Sequence, residues 1–141
     1  MKYFAYGSNT NIEQMIRRCP SAEPIEAGAA HGWRLAFRGV ADIVPAKGQV
    51  AHGVLWELDA AAKRSLDRFE GFPHLYVKVR IPVMLADGTV VQAMAYVMRV
   101  KTPESPPSAG YLAITAEGFT FWELPMASLV RATLRATREE Q

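Results

Sequence analysis

The segment FAYGSN at residues 4–9 is one of two groups of residues in this chain that could do chemistry. A short apolar strand ends at Gly7, and the polar residues Ser8 and Asn9 precede a predicted helix. Backbone N–H groups at a helix start lack intrahelical acceptors, and the helix dipole adds partial positive charge there. A carboxylate or an oxyanion would therefore bind well at this turn. The spacing leaves one alternative open, a plain connection whose two polar side chains bond their own backbone.

The second group lies at residues 66–76, where Glu70 follows Phe69 at the end of a predicted helix. A carboxylate at a helix C-terminus faces the negative end of the dipole, and apolar neighbours such as Phe72 and Leu75 could exclude water from it. Both effects favour the neutral acid, so a buried Glu70 would suit general base and then general acid catalysis. An exposed glutamate at a helix end is the alternative reading of the same segment.

Other kinds of site find little support in the sequence. His31, His52 and His74 lack the spacing of a metal site, and a single cysteine, Cys19, excludes an intrachain disulfide or a cysteine-built zinc site. Ser8 lacks the G-x-S-x-G context of a serine hydrolase, and no nucleotide-phosphate motif is present. The sequence therefore predicts no metal and no cofactor.

The composition bears on which partners and which cellular compartment to expect. Half of the 141 residues are hydrophobic, and 16 Lys and Arg against 14 Asp and Glu give a net charge of +2. Such a small surplus does not attract a polyanion, so we expect no nucleic-acid partner. No apolar run approaches the ~18 residues of a membrane span, and one cysteine suits a reducing compartment. We expect a single cytoplasmic domain over residues 1–141, with no membrane partner.

The first elements that would position these groups are a strand and a helix. Residues 2–6 predict a strand, and Thr10 with Glu13 forms a capping-box pattern. A helix should therefore begin at residue 10 or 11 and end at Pro20. Its apolar residues share one face, which we expect to be buried. These residues are Ile12, Met15, Ile16 and Cys19.

The next segment predicts strands and then the helix that carries Glu70. Residues 25–58 are broken by five glycines and Pro45, which favours short and strongly bent strands, the clearest at 50–58. Asp59 can then cap a helix over residues 60–70 that stops at Gly71. Three residues of this helix should face inward. They are Ala62, Leu66 and Phe69.

A hairpin and two helices should complete the fold. Alternating residues at 77–83 lead through the Asp87-Gly88 turn into residues 90–98, a strand apolar on both faces, as in a barrel. Helices are predicted at about 108–117 and 125–137, after a proline-rich linker. Three arginines indicate a solvated face on the last helix, and an interaction module would rest on them alone. They are Arg131, Arg135 and Arg138.

Five short segments follow one another in a distinctive order along residues 1–124. They are Tyr3-Phe4-Ala5-Tyr6-Gly7-Ser8-Asn9, Pro20-Ser21-Ala22, Gly53-Val54-Leu55-Trp56, Leu66-Asp67 with Glu70-Gly71 and Tyr76, and Pro106-Pro107-Ser108 with Tyr111. In this combination they resemble the gamma-glutamylcyclotransferase-like family. The resemblance implies an α+β fold, a small bent β-barrel of mixed strands with flanking helices. It places the core at about residues 1–124 and a C-terminal helix at about 125–138.

The resemblance also implies an enzyme that uses no cofactor. Members of that family convert a γ-glutamyl amino acid or γ-glutamylamine to 5-oxoproline and release the free amino acid or amine. By matched position, Glu70 would be the catalytic base and then acid, and the turn at Gly7, Ser8 and Asn9 would hold the oxyanion or α-carboxylate. Three tyrosines would line the substrate pocket. They are Tyr6, Tyr76 and Tyr111.

The match leaves the leaving group and the oligomeric state open. The segment around Glu70 looks more like the branch acting on γ-glutamylamines, whereas Y-G-S-N and P-P-S with Tyr111 look like the dipeptide branch. Thr10 departs from the aliphatic residue that often follows Y-G-S-N. The alternative function is a non-catalytic binding protein for γ-glutamyl or related small molecules on the same scaffold. The partner expected in either case is a small molecule, and a homodimer is left open.

Overall fold

The computed structural model describes residues 1–140, so residue 141 of the expected domain lies outside it. Within these residues the chain forms five strands and four α-helices, which confirms the α+β class. The strands are β1 (Lys2–Ala5), β2 (Glu23–Arg38), β3 (Val40–Glu57), β4 (Tyr76–Met84) and β5 (Val90–Met98). The helices are α1 (Ile12–Arg18), α2 (Ala60–Glu70), α3 (Ala109–Phe121) and α4 (Met126–Glu140), and a 3-10 turn spans Ser8–Thr10.

The five strands close into a barrel in the order β1-β3-β2-β4-β5. β1 runs antiparallel to β3 and pairs in parallel with β5, where Tyr3 lies beside Met94. The barrel of mixed strands is therefore confirmed. Its interior is filled by large apolar side chains, and burying each contributes ~1.5–3 kcal/mol. Among the fully buried ones are Phe4, Phe37, Ile43, Leu55 and Ile81.

The strands at residues 25–58 are not short, and this prediction was wrong. They form a long hairpin of 16 and 18 residues, β2 and β3, that turns at Gly39. Gly32 adopts a φ of +85° where the register shifts, so it makes a bulge and not a strand end. Gly53 lies where β1 approaches, since an added Cβ would meet the Ala5 carbonyl oxygen at 2.2 Å. Glycine here permits bending and close contact within continuous strands.

Helix α1 begins one residue later than a cap at Thr10 would place it. The Asn11 side chain caps the helix by accepting from the Gln14 N–H at 3.3 Å, whereas the Thr10 hydroxyl donates to the Gly7 carbonyl at 2.8 Å. Ile16 is 59% exposed, so its predicted burial was wrong. The helix has only seven residues, of which Met15 is buried, and Cys19 is buried as its C-cap.

Helix α2 follows its predicted bounds and places Glu70 at its last position. The Asp59 carboxylate accepts from the Ala62 N–H at 2.8 Å, and Gly71 ends the helix in the left-handed conformation. Ala62 and Leu66 are buried as expected. Phe69 is 51% exposed, so its predicted inward orientation was wrong. Its ring instead packs against a guanidinium on α1.

The last two helices pack against the barrel and the 3-10 turn. α3 extends to Phe121, and at Gly118 an added Cβ would meet the Thr10 hydroxyl at 2.3 Å. The Trp122 indole N–H donates to the Thr10 carbonyl at 3.1 Å, so α3 pins the back of the turn. α4 packs against β2. Within residues 1–140, every helix is too short or too polar to cross a membrane.

Candidate active site

One cavity of about 190 Å³ opens where the 3-10 turn, the end of α2 and the start of α3 meet the barrel. Pockets for drug-sized ligands hold ~300–1,000 Å³, so this cavity suits a smaller molecule. All seven residues predicted for the site line it: Tyr6, Gly7, Ser8, Asn9, Glu70, Tyr76 and Tyr111. Five residues that were not predicted also line it: Tyr3, Val40, Ala41, Phe69 and Tyr96.

Glu70 supplies the acidic group of the cavity. Its Oε1 accepts a long hydrogen bond of 3.4 Å from the Asn9 side-chain N–H. Burial raises the pKa of Glu70 from 4.5 to about 7, and the positive charge of Arg18 opposes the rise. A carboxyl group with this pKa is close to half ionised at neutral pH. It can therefore both take up and return a proton under ordinary conditions.

Gly7 brings the backbone of the turn close to the cavity wall. A Cβ at this position would lie 2.7 Å from the Cβ of Ala41 and 2.8 Å from the Tyr111 hydroxyl oxygen. Both distances are shorter than atoms tolerate, so any side chain at position 7 would displace the turn or the wall. Glycine is required here for space, since its φ of −118° is available to any residue.

The rest of the turn is fixed from behind. The Thr10 N–H donates to the Gly7 carbonyl at 3.0 Å, and the indole N–H of Trp56 donates to the Asn9 carbonyl at 3.1 Å. These bonds use the carbonyl groups of the turn as acceptors. The backbone N–H groups at the start of the turn have no acceptor within a helix, as at any helix start. The turn is thus a rigid element beside the carboxyl group of Glu70.

Three tyrosines form a polar wall with fixed hydroxyl groups. The Tyr6 hydroxyl donates to the Tyr96 carbonyl at 2.5 Å, and the Tyr76 hydroxyl donates to the Ala41 carbonyl at 2.9 Å. The Ala41 N–H in turn donates to the Tyr111 hydroxyl oxygen at 3.1 Å. Burial raises the pKa of Tyr6 and Tyr76 well above the usual range, so both stay neutral. The backbone N–H and C=O of one residue, Ala41, therefore tie two of the tyrosines together.

The sequence places Tyr111 by a local signal. Ser108 caps α3 by accepting from the Tyr111 N–H at 3.1 Å, which fixes the tyrosine in the first turn. The proline pair before Ser108 cannot continue a helix backwards, so the start of α3 is set by chemistry close in the chain.

Sequence reasoning missed residues that reach the site from other elements. Tyr3 belongs to the same motif as Tyr6, and its hydroxyl oxygen accepts from the Asn9 side chain at 3.0 Å, so the motif itself was a usable signal. Nothing in the sequence indicates a role for Arg18, because an arginine next to Arg17 at a helix end is expected to be exposed to solvent. Ala41 joins the site only through the closure of the barrel.

Comparison with known proteins gives one matching family model, described as gamma-glutamyl cyclotransferase, AIG2-like, over residues 3–113. Human gamma-glutamylcyclotransferase is 29% identical over 137 residues, covering 88% of this chain and 72% of that protein. The mouse gamma-glutamylcyclotransferase is 30% identical over 129 residues, covering 82% of this chain and 68% of that protein. The chain is thus similar to curated proteins of the same name in two mammals.

Solved structures agree in fold. The structure of a gamma-glutamyl cyclotransferase superimposes with a TM-score of 0.85 at 26% identity, covering 94% of this chain and 85% of that one. An AIG2-like protein from Mus musculus superimposes with a TM-score of 0.63 at 24% identity, covering 72% of this chain and 79% of that one. The second likeness bears on the fold alone.

Proposed function

Because this chain belongs to the gamma-glutamyl cyclotransferase, AIG2-like family, we propose that it converts a γ-glutamyl amino acid or γ-glutamylamine to 5-oxoproline and a free amino acid or amine. Relatives named gamma-glutamylcyclotransferase support a cyclotransferase activity in general terms. One observation carries the more specific proposal. A carboxyl group that titrates near neutrality, that of Glu70, lines the same small cavity as the turn at Gly7, Ser8 and Asn9.

The first step is removal of a proton from the substrate's α-amino group. The neutral α-amine attacks the γ-carbonyl carbon of the same molecule, and the ionised form of Glu70 accepts the proton that the amine nitrogen loses as the bond forms. The attack forms the C–N bond of a five-membered ring. A pKa of about 7 suits the task better than the ordinary 4.5, because each unit of mismatch costs about 1.4 kcal/mol.

The second step places negative charge on the former carbonyl oxygen. Backbone N–H groups at the start of the 3-10 turn, beside Gly7 and Ser8, are candidates to donate to this oxyanion or to the α-carboxylate. The ring intermediate then collapses, the C–N bond to the leaving group breaks, and the Glu70 carboxylic acid returns its proton to the departing nitrogen. Proton and charge balance without any group from outside the substrate and the chain.

The tyrosine wall would hold the glutamyl chain folded for attack. Tyr6, Tyr76 and Tyr111 have fixed hydroxyl groups, so the walls need little rearrangement when substrate binds. Intramolecular reactions gain much of their rate from such orientation. Since the nucleophile belongs to the substrate, the proposed reaction uses no cofactor and no covalent enzyme intermediate.

The unusual Thr10 is compatible with catalysis. It is completely buried, and its hydroxyl donates to the Gly7 carbonyl, so the polar side chain reinforces the turn. The alternative of a binding protein without turnover predicts the same pocket but an unreactive ligand.

The test is an assay for 5-oxoproline with a panel of γ-glutamyl amino acids and γ-glutamylamines. We expect turnover of at least one class, and the better class identifies the leaving group. Glu70→Gln should lower kcat/KM by ~10²–10⁴-fold. Glu23→Gln is the matched control, because Glu23 is exposed on the barrel, and it should keep full activity. A panel without turnover, tight binding with the ligand recovered intact, or an active Glu70→Gln would overturn the proposal.

A further inference from the structure

Arg18, the last residue of α1, is a half-buried arginine that contacts the candidate site from behind. Its Nη1 donates to the Ser8 hydroxyl oxygen at 2.9 Å and to the Asn9 side-chain oxygen at 2.5 Å. Its guanidinium lies over the ring of Phe69, 3.8 Å from the ring centroid. One side chain thus joins α1, the 3-10 turn and the end of α2.

The contact with Arg18 decides which way the Asn9 amide points. With its oxygen bonded to the guanidinium, Asn9 presents its nitrogen to the Tyr3 hydroxyl at 3.0 Å and to the Glu70 Oε1 at 3.4 Å. The reversed amide would set two donors against each other at Arg18 and two acceptors against each other at Glu70. The donor that faces the carboxylate is therefore held in place by Arg18.

Arg18 also supplies positive charge close to the Glu70 carboxyl. Among the residues whose side chains the structure describes, 1–138, no carboxylate forms a salt bridge with its guanidinium, and burial lowers its own pKa. Partly burying this cation costs free energy, which its hydrogen bonds to Ser8 and Asn9 offset in part, and its charge stays available to act on Glu70.

The other titratable groups that interact with the Glu70 carboxyl are neutral tyrosines, contributed by β1, the segment before the turn, β4 and β5. Burial raises the pKa of each of them above the usual range. They are Tyr3, Tyr6, Tyr76 and Tyr96. Arg18 is therefore the cation that opposes the desolvation of Glu70.

We propose that Arg18 is a positioning residue for the cyclisation: it orients the Asn9 amide toward Glu70, and its charge favours the carboxylate that accepts the substrate's proton. This inference rests on the proposed function, and it assigns Arg18 no contact with the substrate. Its two contributions, orientation and charge, act on the rate in different ways and can be separated.

The experiment compares Arg18→Met, Arg18→Lys and Arg17→Met in the full-length chain, by the pH dependence of 5-oxoproline release. Arg17 is the matched control, because it is the exposed neighbour on the same helix end. Loss of the charge in Arg18→Met should shift the midpoint of the rise of kcat/KM with pH to a value about one pH unit higher. The rate should then fall about tenfold more at pH 6 than at pH 9.

Arg18→Lys keeps the charge but not the planar pair of donors. Its profile should stay at the position of the unmodified protein, with a uniform loss of a few-fold across pH. Arg17→Met should change neither the position of the pH profile nor the rate. A profile for Arg18→Met that superimposes on that of the unmodified protein, or an equal displacement in Arg17→Met, would overturn the proposal.

A second readout separates this inference from the proposed function. NMR titration of ¹³C-labelled glutamate, assigned through Glu70→Gln, follows the Glu70 carboxyl without substrate. Its midpoint should rise by about one pH unit in Arg18→Met and stay in place in Arg18→Lys. Absence of 5-oxoproline release would refute the proposed function, while an unmoved midpoint in Arg18→Met would refute the role of Arg18.

Discussion

Replacing Glu70 by glutamine should have opposite effects on activity and on stability. Glu70 ends α2 beside the cavity, and burial raises its pKa from 4.5 to about 7. An unfolded chain returns the carboxyl to its ordinary pKa. Well below pH 4.5 the group is neutral in both states, so it adds no pH-dependent term to the free energy of unfolding.

The sign and size of the effect follow from this difference. Between pH 4.5 and 7 the folded state holds the proton more tightly than the unfolded state, so stability falls as the pH rises. A gap of about 2.5 pH units corresponds to about 3 kcal/mol lost above pH 7. Glutamine carries no charge to desolvate. Glu70→Gln should therefore stabilise the protein by up to about 3 kcal/mol at pH 8 and change it little at pH 4.

The assay is urea denaturation of the unmodified protein and the variant at pH 4 and pH 8, with 5-oxoproline release measured at pH 8. At each pH, subtracting the free energy of unfolding of the unmodified protein from that of the variant removes the contribution of all other titrating groups. Glu23→Gln, at an exposed position, should alter the free energy of unfolding by no more than about 0.5 kcal/mol. The reasoning fails if Glu70→Gln is no more stable relative to the unmodified protein at pH 8 than at pH 4.

Two further outcomes are expected. In the unmodified protein kcat/KM should rise about tenfold from pH 6 to pH 8, because the ionised fraction of a group with a pKa of about 7 rises by that factor; a rate flat over this range would mean that the essential base is another group. Gly7→Ala should cost ~1–3 kcal/mol of stability and most of the activity, because its Cβ would meet Ala41 at 2.7 Å. Gly110→Ala is the control, since its Cβ meets nothing within 4 Å and alanine favours a helix; equal effects of the two changes would contradict the steric argument.

The sequence by itself determined the elements whose causes lie close together in the chain. The Asp59 cap and the left-handed Gly71 bound α2, and the Asp87-Gly88 turn joins β4 to β5. These follow from backbone conformation and from hydrogen bonds over three or four residues. The same holds for Ser108 at the start of α3. Such signals were enough to place Glu70 at a helix end.

Contacts between distant parts of the chain decided the rest. The glycines that the sequence suggests as strand ends lie within the long hairpin of β2 and β3. Pairing between the two strands continues past them, and they allow local bends and the close approach of neighbouring strands. Phe69 and Arg18 both depart from a simple helix pattern, since each meets the other across two helices. The raised pKa of Glu70, near neutrality, also depends on contacts between distant parts of the chain. Residues from separate segments must enclose the carboxyl group before water is excluded, and only barrel closure brings them together.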